Sequence, residues 1–406
     1  MSGQRWTAVA LAGLLAGVTP AAPDLAVRAG RLLPVAGPEI ADGVVLIEAG
    51  KIVEVGPAAG VRIPAGVEVH RAAVVTPGLV DVHTVVGLAG IYNSERGQVQ
   101  DQDQLETSDP LQPELRALDA YDPVERLVDW VRSLGVTTVH SGHGPGAVIS
   151  GQTLIAKTRG ERVEQAVLVP VAAVAATLGT AVSANYESPG TRAKTVAALR
   201  ETLVAARDYK RDRSGDKPPD RDLGKEILAR VLDGEVALMI TAHSAADIAT
   251  ALRLREEFGV RLWLDGAAEA YRMIEPIRAA GVPVLLHATM IRAGGDARNT
   301  AFDTAARLAA AGIPFAIQSG YEGYVPKARV VLYEAQAAVR YGLDDAAALN
   351  AVTLAPARIL GIDRRVGSIE RGKDADLVLF DGDPFEYTSH VCKVIIEGEI
   401  VSDVCR

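Results

Sequence analysis

The chain has 406 residues, 49% apolar and 23% charged, with few aromatics (5 Phe, 3 Trp and 10 Tyr), which excludes a disordered or collagen-like chain and a disulfide-stapled miniprotein. With 42 basic against 51 acidic residues the formal charge is −9 and no basic block occurs, so nucleic acid is not an expected partner. The length suits one barrel of about 250 residues with a smaller companion, and no apolar run of about 18 residues interrupts the body, which excludes a polytopic membrane protein.

Residues 1–22 combine Arg5, an apolar or small run over 7–18 and small residues around 19–23. A basic start, an apolar stretch of about a dozen residues and a small-residue cleavage point are the parts of a secretory signal. The alternatives are a short buried helix and an uncleaved N-terminal anchor that would attach the protein to a membrane. The expected location is the periplasm or the extracellular space. From Leu25 the texture is short β runs (25–28, 43–47 and 52–55) punctuated by Gly and Pro. After Pro77 strands alternate with helices. A helix over 122–134 stops at Gly135 and leads into a strand over 136–140. Strand 236–242, helix 245–258, strand 261–264, helix 267–279, strand 282–286, helix 300–311 and strand 314–318 follow. A helix, a Gly stop and a short apolar strand, repeated at about 25 residues, indicate a parallel α/β array, and over 76–361 a closed (β/α)8 TIM-like barrel. Past Gly367 the β texture returns, so 23–75 and 362–406 are expected to form one discontinuous β-sandwich domain. The polar stretch 87–121 fits neither texture and is expected to lie as a loop over the barrel mouth.

The only cysteines, Cys392 and Cys405, leave no room for a cysteine-based zinc cage. The run 391–404 alternates around Glu397-Gly398 as a hairpin. Counting back from that turn places Ile396 opposite Glu399 and Cys392 opposite Asp403, with Cys405 one diagonal step away. A disulfide is then open to the pair, the alternative being two free thiols.

Two segments settle the architecture: Val75-Thr-Pro-Gly-Leu-Val-Asp-Val-His83 and Gly367-Ser-Ile-Glu-Arg-Gly-Lys-Asp-Ala-Asp-Leu-Val-Leu379. Both resemble the amidohydrolase superfamily, in particular its imidazolonepropionase-like, exported branch. In that family the first segment is the opening barrel strand and the second leads back into the β domain. Thr353-Leu-Ala-Pro-Ala-Arg-Ile-Leu-Gly361, Gly135-Val-Thr-Thr-Val139 and Ala242-His243 fit the same pattern. The resemblance implies one or two divalent metals at the carboxyl end of the barrel. Their ligands would be an H-x-H pair on strand one, a lysine or glutamate on strand four in some branches, one histidine each on strands five and six, and an aspartate on strand eight that also acts as base. Such a metal lowers the pKa of bound water to about 7.

Laid along that pattern, His83 and His243 match, but the other positions do not. Val85 stands at the second strand-one histidine, Gly266 at the strand-six histidine and Gly320 at the strand-eight aspartate. The inherited metal site is therefore expected to be broken, and no cofactor is expected. A rearranged zinc site would have to draw on His83, His243 and a further rim histidine among His140, His143 and His287. Asp81, Asp265, Glu269, Gln318 and Ser319 are expected to complete the residual pocket. His70 and His390 carry no motif and are expected at the surface. His143-Gly-Pro-Gly146 lacks the Lys-Ser/Thr of a phosphate loop, Ser141 and Ser150 lack the elbow of a nucleophile, and Lys157 is expected in a salt bridge. The sequence favours a non-catalytic binding or assembly subunit with an unidentified protein partner, self-association not being excluded. The alternative is a metal-dependent hydrolase of C–N bonds in non-peptide or dipeptide amides, built on a rearranged mononuclear site.

Overall fold

The structure, a computed structural model, describes residues 23–88, 103–320 and 330–405. The segment 1–22, read above as a leader or anchor, lies outside them, as does 89–102 of the polar stretch. Four strands open the chain: β1 (Leu25–Leu32), β2 (Ile40–Glu48), β3 (Lys51–Pro57) and β4 (Glu68–Pro77). The barrel region follows with β5 (Leu79–Thr84), β6 (Val136–Ser141), β7 (Ile149–Gln152), β8 (Leu154–Lys157), β9 (Val167–Val169), β10 (Ala173–Thr177), β11 (Ala237–Ala242), β12 (Leu262–Gly266), β13 (Val284–Leu286) and β14 (Phe315–Ile317). The chain ends with β15 (Leu377–Phe380), β16 (Val391–Ile396) and β17 (Glu399–Ser402).

The two chain ends meet in one seven-stranded sheet of order β17-β16-β15-β4-β1-β2-β3. Successive residues of β1 face opposite sides, as the period of two requires. Leu25, Val27 and Ala29 join one apolar cluster and Ala26 joins another. The terminal hairpin keeps Ile396 opposite Glu399, but a bulge at Val394/Ile395 pairs Val394 with Ser402. The extra residue corrects the register expected from counting alternate positions. Lys393, not Cys392, now meets Asp403, in an ion pair of 2.5 Å. Cys392 and Cys405 are joined by a disulfide.

The barrel closes through two sheets. One runs β14-β13-β12-β11-β10-β7 and the other β5-β6-β8-β9. β7 and β8 are nearly continuous, separated only by Thr153, and join the two sheets. A bridge between Thr84 and Gly320 closes the far seam. The array is not wholly parallel: β7 pairs antiparallel with β10, and β8 antiparallel with β6. The helical spacing that announces the other crossovers is missing between 141 and 154, so the third stave returns directly as a hairpin would. The helix expected over 267–279 is broken into a 3-10 turn, Ala270–Arg272, and a short helix, Ile274–Ala280. Residues 103–121 lie along β7, with bridges from Leu111 to Ile149 and from Arg116 to Gln152.

Barrel and sheet are joined by a buried charge cluster. Lys157, on β8, is 1% exposed and donates to Asp374 at 2.7 Å and to Asp376 at 3.0 Å. Asp374 also takes Lys51 and Arg365. This is the salt bridge expected for Lys157, and it lies away from the mouth histidines. Removing one partner from such a cluster strands a buried charge. Lys157→Met is expected to lower unfolding stability by about 3 kcal/mol, read from the midpoint in denaturant.

Candidate functional site

The site follows from strand alternation. On β11, Ala237 and Met239 point into the barrel core with Trp263 of β12, Leu285 of β13 and Ala316 of β14. The intervening Leu238, Ile240, Leu264, Val284 and Ile317 pack outward beneath the helices. Continuing the period of two towards the carboxyl ends brings Thr241, His243, Asp265, His287 and Gln318 to the inward layer. These five residues line one small cavity, with His83 on β5, Ser319 and the glycines 266 and 320.

Asp265 is the centre of this layer. It is 2% exposed, and both its oxygens are engaged. His83 Nδ1 lies 2.8 Å from Oδ1, Gln318 Nε2 donates to Oδ1 at 2.8 Å and Thr241 Oγ1 donates to Oδ2 at 2.6 Å. Burial alone would raise the acid's pKa, but the His83 charge, its hydrogen bond and those of Thr241 and Gln318 hold it down at about 2. His83 answers this: burial disfavours its charged ring, yet the Asp265 carboxylate carries its pKa above the ordinary value. The Asp265 carboxylate thus favours protonation of the His83 ring in this buried pair.

A second network closes the seam. Asp81 Oδ1 accepts from the Ser319 amide at 3.0 Å, Ser319 Oγ donates to Thr84 Oγ1 at 2.9 Å, and the Gly320 amide donates to the His83 carbonyl at 3.1 Å. Asp81 does not line the cavity, and burial pushes its carboxyl up to about 7. Glu269, placed in the pocket by sequence, lies outside the cavity lining. It accepts from the Ala245 amide at 2.9 Å and from Asn299, where a carboxylate at a helix start is favoured.

The histidines divide. His140 is fully used: Nδ1 is 2.7 Å from the Val82 carbonyl and Nε2 is 2.7 Å from Thr153 Oγ1. It links β6 to β5 and to the turn between β7 and β8. His143 packs on Gly151 and does not line the cavity. His243 and His287 do line it. His70 lies 3.0 Å from Glu68 and His390 2.8 Å from Asp381, both in the β domain. Ser141 donates to the Val86 carbonyl at 2.6 Å and Ser150 to the Gly144 carbonyl at 3.3 Å, so neither hydroxyl is poised as a nucleophile. Sequence reading missed Thr241, whose signal was its place two residues before His243 on the same strand.

The positions that would complete a metal site are closed by local geometry. Val85 is fully buried and apolar. Gly266 has φ +75° and Gly320 φ +67°, the left-handed region that disfavours any side chain. A Cβ at 266 would meet the His243 ring at 2.6 Å. His83 Nε2, His243 Nδ1 and His287 Nε2 have no hydrogen-bond partner. Among the described residues, however, no three His, Cys, Asp or Glu side chains converge to hold a metal ion. Among the described residues the cavity measures about 50 Å³, room for a water or two and far below the roughly 300 Å³ of a small-ligand pocket.

Comparisons with known proteins agree with this architecture. Residues 74–401 match the amidohydrolase family. The crystal structure of an amidohydrolase from Thermotoga maritima superposes with a TM-score of 0.86 at 28% identity, covering 93% of this chain and 100% of that one. Amidohydrolase tasK of Hapsidospora irregularis is 26% identical over 88% of this chain and 39% of its own length. An imidazolonepropionase of Aromatoleum aromaticum is 41% identical over 96 residues, 23% of each chain. The chain thus spans about two fifths or less of the curated relatives it matches.

Two predictions follow from the site. His140, His143 and His287 are held down by burial at about 3, 4 and 4, and His243 is lowered too. Their contribution to stability is complete above the unfolded value of about 6.5 and is lost as pH falls through these folded values. Asp81 and His83 act oppositely, since raised folded pKa values stabilise at low pH and lose that effect as pH rises. Buried Asp376 acts with Asp81 and His83 acts only above about 6.5, so the four lowered histidines dominate, the thermal midpoint should fall from pH 7 to pH 4, and His140→Gln should flatten that slope. Restoring the missing side chains should not restore a site. Gly266→His and Gly320→Asp are each expected to cost at least about 1 kcal/mol, seen as lowered thermal midpoints.

Proposed function

The chain belongs to the amidohydrolase family, and we propose that it is a non-catalytic member whose barrel serves as a binding or assembly subunit. The observation that carries this reading is the Asp265 centre. Its carboxylate takes His83 Nδ1, Thr241 and Gln318, in a cavity that measures about 50 Å³ among the described residues. In the family's chemistry a metal cation occupies this region and activates water. Here His83 Nδ1 faces the Asp265 carboxylate instead.

A second reading draws on one observation. The unpartnered nitrogens of His83, His243 and His287 would suit a hydrolase of C–N bonds if they converged on zinc. Both readings meet in elemental analysis. Protein purified without chelators, then incubated with zinc and dialysed, is expected to retain less than about a tenth of a zinc per chain, since no three ligands converge among the described residues. One zinc per chain, lost in the His83→Ala, His243→Ala double variant, would overturn the non-catalytic reading.

A further inference from the structure

The opposite end of the same strands carries a second feature. A groove of about 810 Å³ opens where β12, β13 and β14 begin, against the helices Asp345–Ala351 and Leu354–Leu360. Its volume falls in the range of sites for small organic ligands, about 300–1,000 Å³. The floor is apolar, formed by Trp263, Phe315, Ile359 and Leu360, and small side chains at Ala351 and Ala355 leave it open. None of the lining residues is acidic.

Two guanidiniums border this floor, Arg261 and Arg358. On a chain of net charge −9 many surface arginines are ion-paired, as Arg28, Arg200 and Arg307 are. Among the described residues neither Arg261 nor Arg358 has an ion pair, Arg261 reaching only the Glu235 carbonyl at 3.5 Å. Arg261 lies over the Trp263 ring, 5.6 Å from its centre. Glu370, the acid that feels the Arg358 charge, is already bonded to Lys373 and Ser368. An apolar floor with unpaired forked cations and no competing carboxylate is complementary to one kind of guest: an apolar body ending in a carboxylate.

We propose that this groove is a binding site for an amphiphilic monocarboxylate, its tail on Trp263, Phe315 and Leu360 and its carboxylate between Arg261 and Arg358. The site lies at the opposite end of the barrel from Asp265, and its occupancy does not depend on whether the chain holds a metal.

The test uses the full chain with decanoate below its micellar concentration, followed by calorimetry, with decanol and inorganic phosphate as the two half-ligands. Decanoate should bind saturably at one site per chain, and each half-ligand at least about tenfold more weakly, as expected when a charge-assisted hydrogen bond or the burial of a tail is removed. Arg261→Gln with Arg358→Gln should weaken decanoate by about tenfold or more without changing the thermal midpoint, because both side chains are exposed. Ala355→Trp should abolish binding by filling the groove. Equal affinity for decanol and decanoate, or binding undiminished in the double arginine variant, would overturn the proposal. So would a dimer in sedimentation that Ala355→Trp dissociates while decanoate fails to bind, since the groove would then be covered by a second copy.

Discussion

A carboxylate placed at the centre of a barrel must be neutralised, and the mouth of this molecule is arranged around that requirement. Burying an isolated carboxylate costs several kcal/mol even after relaxation, more than a marginally stable fold can spare. Asp265 meets the requirement with three donors drawn from three other strands: His83 from β5, Thr241 from β11 and Gln318 at the end of β14. One side chain therefore ties β12 to staves on both sides of the closing seam. Its charge also acts on its neighbour, raising the pKa of His83 against the effect of burial. The remaining mouth histidines stay neutral through burial. Three ring nitrogens of this layer, His83 Nε2, His243 Nδ1 and His287 Nε2, are left without a hydrogen-bond partner.

The same accounting explains how the barrel keeps its shape with glycine at two mouth positions. The seam between β14 and β5 is held by Asp81 with the Ser319 amide, by Ser319 with Thr84 and by the backbone from Gly320 to His83. None of these contacts passes through a side chain at 266 or 320. At the other end Lys157 joins β8 to Asp374 and Asp376, so that registry between barrel and sheet rests on a separate charge cluster. Neither closure nor docking passes through a side chain at 85, 266 or 320.

Much of this was legible in the sequence, and the parts that were not have physical reasons. Glycine stops after helices and short apolar strands announced β11 to β14, because those staves follow the ordinary right-handed crossover. The third stave was not legible as antiparallel, since 149–157 carries the same β-rich composition whichever way it runs. The hairpin register slipped by one because a bulge leaves no mark in an alternating pattern. In the site, His83 and His243 stand out by residue type, and Asp265, Gln318 and Ser319 by position. Asp81 and Glu269 were drawn into the pocket because carboxylates near strand ends look alike in sequence. Only geometry separates one that seals a seam from one that caps a helix. Thr241 escaped notice for the opposite reason, a hydroxyl on an apolar strand being unremarkable until a buried carboxylate needs a donor.

The low aromatic and high small-residue content bears on both ends of the barrel. At the mouth, glycine at 266 lets the His243 ring occupy the space a side chain there would take, so the interior fills inward and the cavity shrinks. At the base, alanines 351 and 355 do the reverse, because small residues on a helix facing strand ends leave a groove that larger ones would have packed. Between them Trp263 is the one large aromatic in the inner layer, touching His140 edge-on at 5.5 Å while its other side borders the groove. The chain thus concentrates buried polar groups at one end of the strands and open apolar volume at the other.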